Sequence, residues 1–160
     1  MIMIKSKSWF TGSGLEVDYE SLITEIRSHV SAGGSVFVGT DSQMAPSFCT
    51  FASVICLHND AKRSGGRYFF SKSRTRESTF KNLKLRIMSE VHSSIEIGLI
   101  ISEMFPDANI EIHIDIGSGE KSKTRRYVDE FSGWVRSTGL KCKIKPDSWA
   151  SFAVADKHTK

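Results

Sequence analysis

Apolar residues along this chain recur with two periods, and the switches between them mark its elements. Leu22, Ile23, Ile26 and Val30 fall at helical spacing within residues 18–31, with Asp18 placed to cap the start and Gly33 or Gly34 to end it. Residues 35–42 (SVFVGTDS) form a short β-branched run stopping just past Asp41, and residues 47–59 and 66–74 read as two more strands around a polar loop. A long helical stripe follows over residues 78–104, through Leu83, Ile87, Val91, Ile95, Leu99 and Met104, and Pro106 ends it.

Residues 110–116 alternate strictly, with Ile110, Ile112, Ile114 and Ile116 on one face and Glu111, His113 and Asp115 on the other. A helix over residues 122–137 carries Tyr127, Val128, Phe131, Trp134 and Val135, and Gly139 closes it. The strand LKCKIK turns Lys141, Lys143 and Lys145 one way, as on a guarded edge. A short helix over residues 148–158 ends the reading.

The order β-β-β-α-β-α-β-α after the first helix predicts an α/β fold. Three strands joined by short loops make an antiparallel meander. The long helix then returns the chain as a right-handed crossover, so the IHID strand runs parallel to a meander strand. The expected sheet is mixed and five-stranded, flanked by helices, with residues 1–34 as an N-terminal helical extension and residues 35–160 as the core of a single domain.

Composition changes this picture little. A net charge of +4 leans mildly towards an anionic partner such as nucleic acid. The N-terminus reaches Lys5 after four apolar residues, which does not make a signal peptide, and no apolar run is long enough for a membrane span. Cys49, Cys56 and Cys142 lack CxxC spacing and read as reduced thiols of a cytoplasmic protein.

The candidate chemistry lies in two carboxylates. If the strands bearing Asp41 and Asp115 are parallel neighbours, both acids sit at carboxyl ends, where ligands bind in α/β sheets. Paired carboxylates repel, and a divalent cation resolves the conflict. Oxygen-only ligands favour Mg²⁺ or Mn²⁺ over Zn²⁺. The nearby GSGEKS is not a phosphate-binding loop. G-x-x-x-x-G-K-[ST] would need glycines where Asp115 and Glu120 stand.

The order of elements resembles the ribonuclease H-like superfamily, and four segments resemble its acidic positions. "VFVGTDSQ" supplies Asp41, "HSSIEIGLII" Glu96, "IHIDIGSG" Asp115 and "FAVADKHTK" Asp156. More narrowly, "GTDSQ", "SEVHSSIE", "HIDIG" and "KIKPDSWASFAVADKHTK" resemble the YkuK-type branch, over residues 35–160.

The resemblance implies a nuclease with two Mg²⁺ (or Mn²⁺) ions. Asp41 would bridge both, Glu96 and Asp115 would complete one shell and Asp156 the other, and the substrate would be RNA, a hybrid or structured nucleic acid. Glu90 competes with Glu96. The two point about 240° apart on a helix, and the apolar pattern after Glu96 favours the latter. Asp147 competes with Asp156, with capping of the last helix as its plainer role.

Lys121, Lys123, Arg125 and Arg126 crowd what reads as a helix N-terminus, an unfavourable place for cations unless a phosphate backbone docks there. Gln43 is a further substrate-contact candidate, with a turn role as the alternative. Arg63, Arg67, Lys72, Arg74 and Arg76 form a second basic stretch, which reads first as a solvated face. His92 and His113 read as structural, although each lies near a candidate acid. His158 is a candidate for assisting a leaving group. Trp9 and Phe10 read as core residues. Trp149 reads as packing for the last helix, with base stacking as the alternative.

Overall fold

The structure is a computed structural model that describes residues 2–59, 66–76 and 80–160. Arg63, most of the loop expected at 59–66, and the expected helix start at Ser78 lie outside the described residues.

The elements run α1 (Ile2–Ser6), β1 (Trp9–Thr11), β2 (Glu16–Val17), α2 (Tyr19–Ser31), β3 (Ser35–Met44), β4 (Phe48–His58), β5 (Arg67–Arg76), α3 (Leu83–Met104), β6 (Ile110–Gly117), α4 (Val128–Ser137) and β7 (Lys141–Lys145). A C-terminal segment of one wide turn, Ala150–Val154, and one tight turn, Ala155–His158, completes the chain. Asp18 caps α2 by accepting from Ser21 N at 2.7 Å, and Gly33 takes the left-handed φ of 84° just past its end. Asn82 accepts from Leu85 N and starts α3 at Leu83, later than the apolar stripe alone suggests.

The strands form one sheet in the order β2-β1-β5-β4-β3-β6-β7, with β3, β4 and β5 as the antiparallel meander and β3, β6 and β7 parallel. The sheet therefore has seven strands rather than the expected five. The two additional strands come from the N-terminal segment expected to be helical: Phe10 and Thr11 pair with Phe70 and Phe69 of β5. Three- and two-residue strands are too short to show a period, and Trp9 is buried with Nε1 donating to Ile4 O at 3.0 Å.

Alternation divides the sheet into two faces. Val36, Val38, Ile55, Leu57, Phe69 and the four isoleucines of β6 form the main core with residues of α2, α3 and α4. Phe37, Val54, Cys56 and Phe70 form a smaller core with Ala150 and Ala155 of the C-terminal segment. That segment approaches very closely at Gly39, where a Cβ would stand 2.7 Å from Ser151 N and 2.8 Å from Ala150 C. Trp149 packs on Phe37, with ring centroids 4.9 Å apart.

Candidate active site

The parallel pairing of β3 with β6 ends at Gly39 opposite His113. Two residues beyond, on the same face, stand Asp41 and Asp115, whose carboxyl groups come within hydrogen-bonding reach of each other. Asp41 is buried and accepts from Thr159 Oγ1 at 3.5 Å. Burial first, then the charge and contact of Asp115, and finally the field of Asp156, push the Asp41 carboxyl up to about 8.

A cleft of about 280 Å³ opens over this pair, lined by Asp41, Ser42, Arg86, Glu90, Asp115 and Lys145 among others. Glu90 enters it from α3, buried and accepting from Ser42 Oγ. Burial raises its carboxyl well above the usual range, the Ser42 bond offsets part of this, and Asp41 and Asp115 add to the rise. Arg86 lies one turn before Glu90 on the same face of α3 and acts in the opposite sense on it. Arg86 Nε is buried without a hydrogen-bond partner among the described residues. Lys145 Nζ lies 2.6 Å from Asp115 Oδ1, a contact of charge rather than of good hydrogen-bond angle.

Of the four acids anticipated, the fold brings Asp41 and Asp115 together and leaves Asp156 at the margin. Asp156 is half-exposed and 3.2 Å from Lys160 Nζ, yet within electrostatic reach of Asp41. Glu96 is not among the residues lining the cleft: it is half-exposed, 3.7 Å from His92 Nε2 and within the field of Lys7. Glu90 takes the inward position on α3. Asp147 is exposed beyond β7 and provides no side-chain cap to the segment that follows.

His113 is structural. Its Nδ1 accepts from Ala150 N at 3.0 Å, so the proton sits on Nε2 and is donated to Glu111 Oε1 at 2.8 Å. Burial lowers its pKa, which suits this neutral tautomer. His158 stacks on Phe70 with centroids 3.7 Å apart and meets Tyr68 Oη at 3.0 Å, so it belongs to the smaller core rather than to the cleft.

The basic residues after β6 do not open an α-helix. Ser122 and Thr124 bond to each other, and Thr124 Oγ1 accepts from Gly117 N at 3.0 Å, holding the chain in turns until α4 starts at Val128. Arg125 and Arg126 sit in a tight 3₁₀ turn, Arg125–Tyr127, that leads into α4, and Asp129 and Glu130 in the first turn of α4 offset their charge. Lys123 reaches the acidic cleft, and with Arg125 and Arg126 it also lines an adjacent hollow. Gln43 is exposed on β3, two residues past Asp41 on the same face.

A family model described as "Ribonuclease H-like" matches residues 18–160. The chain belongs to the ribonuclease H-like family. Its match takes in α2 as well as the later elements. The chain is also 30% identical over 138 residues to the "Uncharacterized protein YkuK" of Bacillus subtilis (strain 168), with 77% of each chain covered.

The ribonuclease H-like family implies Mg²⁺ or Mn²⁺, and the donor chemistry here fits such an ion. The cleft is lined, among the described residues, by carboxylates with no thiol or imidazole, and the charge of Asp115, which after burial raises Asp41, is what a hard divalent cation offsets. Among the described residues no group of three or more His, Cys, Asp or Glu is disposed to hold a metal ion, and the Glu90 carboxyl accepts from Ser42. Among the described residues no helix is long and apolar enough to cross a membrane.

Proposed function

We propose that this chain is a divalent-metal-dependent nuclease that hydrolyses phosphodiester bonds in RNA, RNA/DNA hybrid or structured nucleic acid. The observation that carries the reading is the convergence of Asp41, Glu90 and Asp115 in one cleft at the ends of parallel strands, with Asp156 in electrostatic reach. Asp41 and Asp115 are the primary metal ligands in this reading. Glu90 turns from Ser42 to join them, and Asp156 approaches from the C-terminal segment. Mg²⁺ or Mn²⁺ bound there, two ions by the family's scheme, would supply charge stabilisation and an activated water.

The other roles belong to the chain's own side chains. Asp41, whose carboxyl is pushed up first by burial and then by the charge of Asp115, would give up its proton to a cation held there. Arg86, with its unpartnered Nε at the cleft wall, is placed to hold a phosphate oxygen. Lys123 and, beyond it, Lys121, Arg125 and Arg126 take the backbone on the β6 side, and Gln43 contacts it on the β3 side.

One observation favours a second reading, a nucleic-acid-binding module with little turnover. Lys145 already neutralises Asp115, as a protein that does not load metal would require. Incubating the chain with Mn²⁺ and labelled RNA, DNA, hybrid and four-way junction substrates separates the two. Cleavage abolished by Asp41→Asn supports the nuclease. Binding of the same substrates without cleavage supports the module.

A further inference from the structure

The sequence carries a second basic stretch around β5, and the structure divides it between the two faces of the sheet. Arg67 lies on the α2 side, paired with Glu25 Oε2 at 2.7 Å. Lys72, Arg74 and Arg76 lie on the opposite face, the one that also carries Phe70 and the C-terminal segment. The pairing from β3 through β4 to β5 is regular over its whole length, so these faces are fixed. Asp41 stands opposite Ala52, and Ala52 opposite Lys72; Gln43 stands opposite Thr50, and Thr50 opposite Arg74. Lys72 is therefore in the same transverse row as Asp41, two strand spacings away, about 9.6 Å between Cα atoms.

All three cations are exposed, and none is paired with a carboxylate among the described residues. Alternate positions on a strand place them about 6.8 Å apart in a line. Arg74 lies over the Phe48 ring at 4.5 Å, which restricts its guanidinium to that face. Between this line and the cleft Ala52 and Thr50 are buried, so the open route runs over the strand ends, where Gln43 is exposed. Lys72 is close enough to the C-terminal segment to add to the lowering of His158, after burial.

We infer that Lys72, Arg74 and Arg76 form a second backbone-binding track, on the opposite side of the acidic cleft from residues 121–126. The inference rests on the nuclease reading and deepens it by naming the substrate class: a polynucleotide extending on both sides of the reacting bond, not a mononucleotide. The sheet order puts the cleft, at β3 and β6, between the two basic groups. A strand of nucleic acid crossing from β5 to the loop after β6 meets cations first, then the acids, then cations again. Single phosphates have no use for the outer group. A row of unpaired charges matched to a phosphodiester backbone does.

The test is fluorescence anisotropy in EDTA, where no cutting occurs, with labelled single-stranded RNA and DNA of about 20 nucleotides, longer than a typical single-groove site. The parent chain is compared with Lys72→Gln/Arg74→Gln/Arg76→Gln and with a charge-matched control, Lys5→Gln/Arg27→Gln/Arg136→Gln. All six positions are exposed. The expected result is a salt dependence about 2 lower in log–log slope for the β5 variant, from about 0.7 per lost phosphate contact, and at least about tenfold weaker binding at low salt. The control should keep the parent slope, and a mononucleotide should bind the parent and the β5 variant alike. Equal slopes for parent and β5 variant, equal losses in β5 variant and control, or equal displacement of the RNA by polyglutamate would overturn the track. A parent chain that binds neither polymer would count against the nuclease reading as well; a parent that binds while the β5 variant matches it sinks the track alone.

Discussion

Asp41 and Asp115 stand two residues past the last bonded pair of their parallel strands, and their carboxyl groups meet on the sheet face opposite the main core. Alternation places both on that face, and the parallel register sets them level. Burial and then this juxtaposition raise the pKa of Asp41, Lys145 approaches Asp115, and the pair has a use for a hard cation. Glu90 joins from the other side of the sheet by way of Ser42.

The two glutamates of α3 should separate cleanly on substitution. Glu90→Gln is expected to lower Mn²⁺-dependent cleavage by about 10²-fold or more, the scale of losing one charge-stabilising group. Glu96→Gln, at a half-exposed position beside His92, should stay within about threefold of the parent. Initial rates with both variants at saturating Mn²⁺ decide the matter. An inactive Glu96→Gln with an active Glu90→Gln would reverse the assignment.

Proton linkage gives a second outcome. The Asp41 carboxyl is raised from near 4 to about 8 in the fold, so the folded state holds a proton that the unfolded chain releases. The stability this contributes is full below about pH 4 and is lost as pH rises to about 8. Glu90, also raised, acts in the same direction. In EDTA, the Tm of Asp41→Asn relative to the parent should therefore climb steadily between about pH 5 and 8. Because metal prefers the ionised carboxyl, stabilisation of the parent by Mg²⁺ should grow over the same range. A pH-independent difference between variant and parent would contradict this.

Gly39 is required by a backbone, not by its own conformation. A methyl group there would press on Ser151 N and Ala150 C, neither of which can move like a side-chain tip. Gly39→Ala should cost about 1–3 kcal/mol in urea unfolding, as overpacking does. It should also weaken divalent binding, since the displaced segment carries Thr159 and Asp156. A variant as stable as the parent would show that the segment does not press on β3.

His113→Leu removes the acceptor for Ala150 N and leaves that buried donor unsatisfied, at a cost of about 1–3 kcal/mol. No pH optimum should follow His113, because it is held neutral between Ala150 and Glu111. A conservative His113→Asn variant that loses stability but keeps the parent's pH–rate profile would bear out a structural role. A shifted profile would place it in the chemistry.

Much of this arrangement was legible in the residues. The alternation of residues 110–116 and the position of Asp41 at the end of a β-branched run placed both strands, their parallel relation and the converging pair. The inward acid of α3 was not legible from the apolar pattern, because that helix is apolar on most sides: Ile95, Ile97 and Ile101 are buried around Glu96 while its own side chain stays half-exposed beside His92. Arg86, four residues before Glu90, was the overlooked signal, since a cation one turn from a carboxylate points both the same way. The N-terminal strands were hidden by their brevity. The faces of β5 were hidden because a run of cations alone does not say which neighbours pair with them. Arg67 found Glu25 on α2, whereas Lys72, Arg74 and Arg76 lie exposed on the other face without a carboxylate partner among the described residues.

The most direct test of the site is calorimetric titration with Mn²⁺ of the parent chain and of Asp41→Asn, Asp115→Asn and Glu90→Gln. Binding by the parent, abolished by either aspartate substitution and weakened by Glu90→Gln, is the predicted result. A parent chain that takes up no Mn²⁺, or one whose uptake is unchanged in Asp41→Asn, would contradict it.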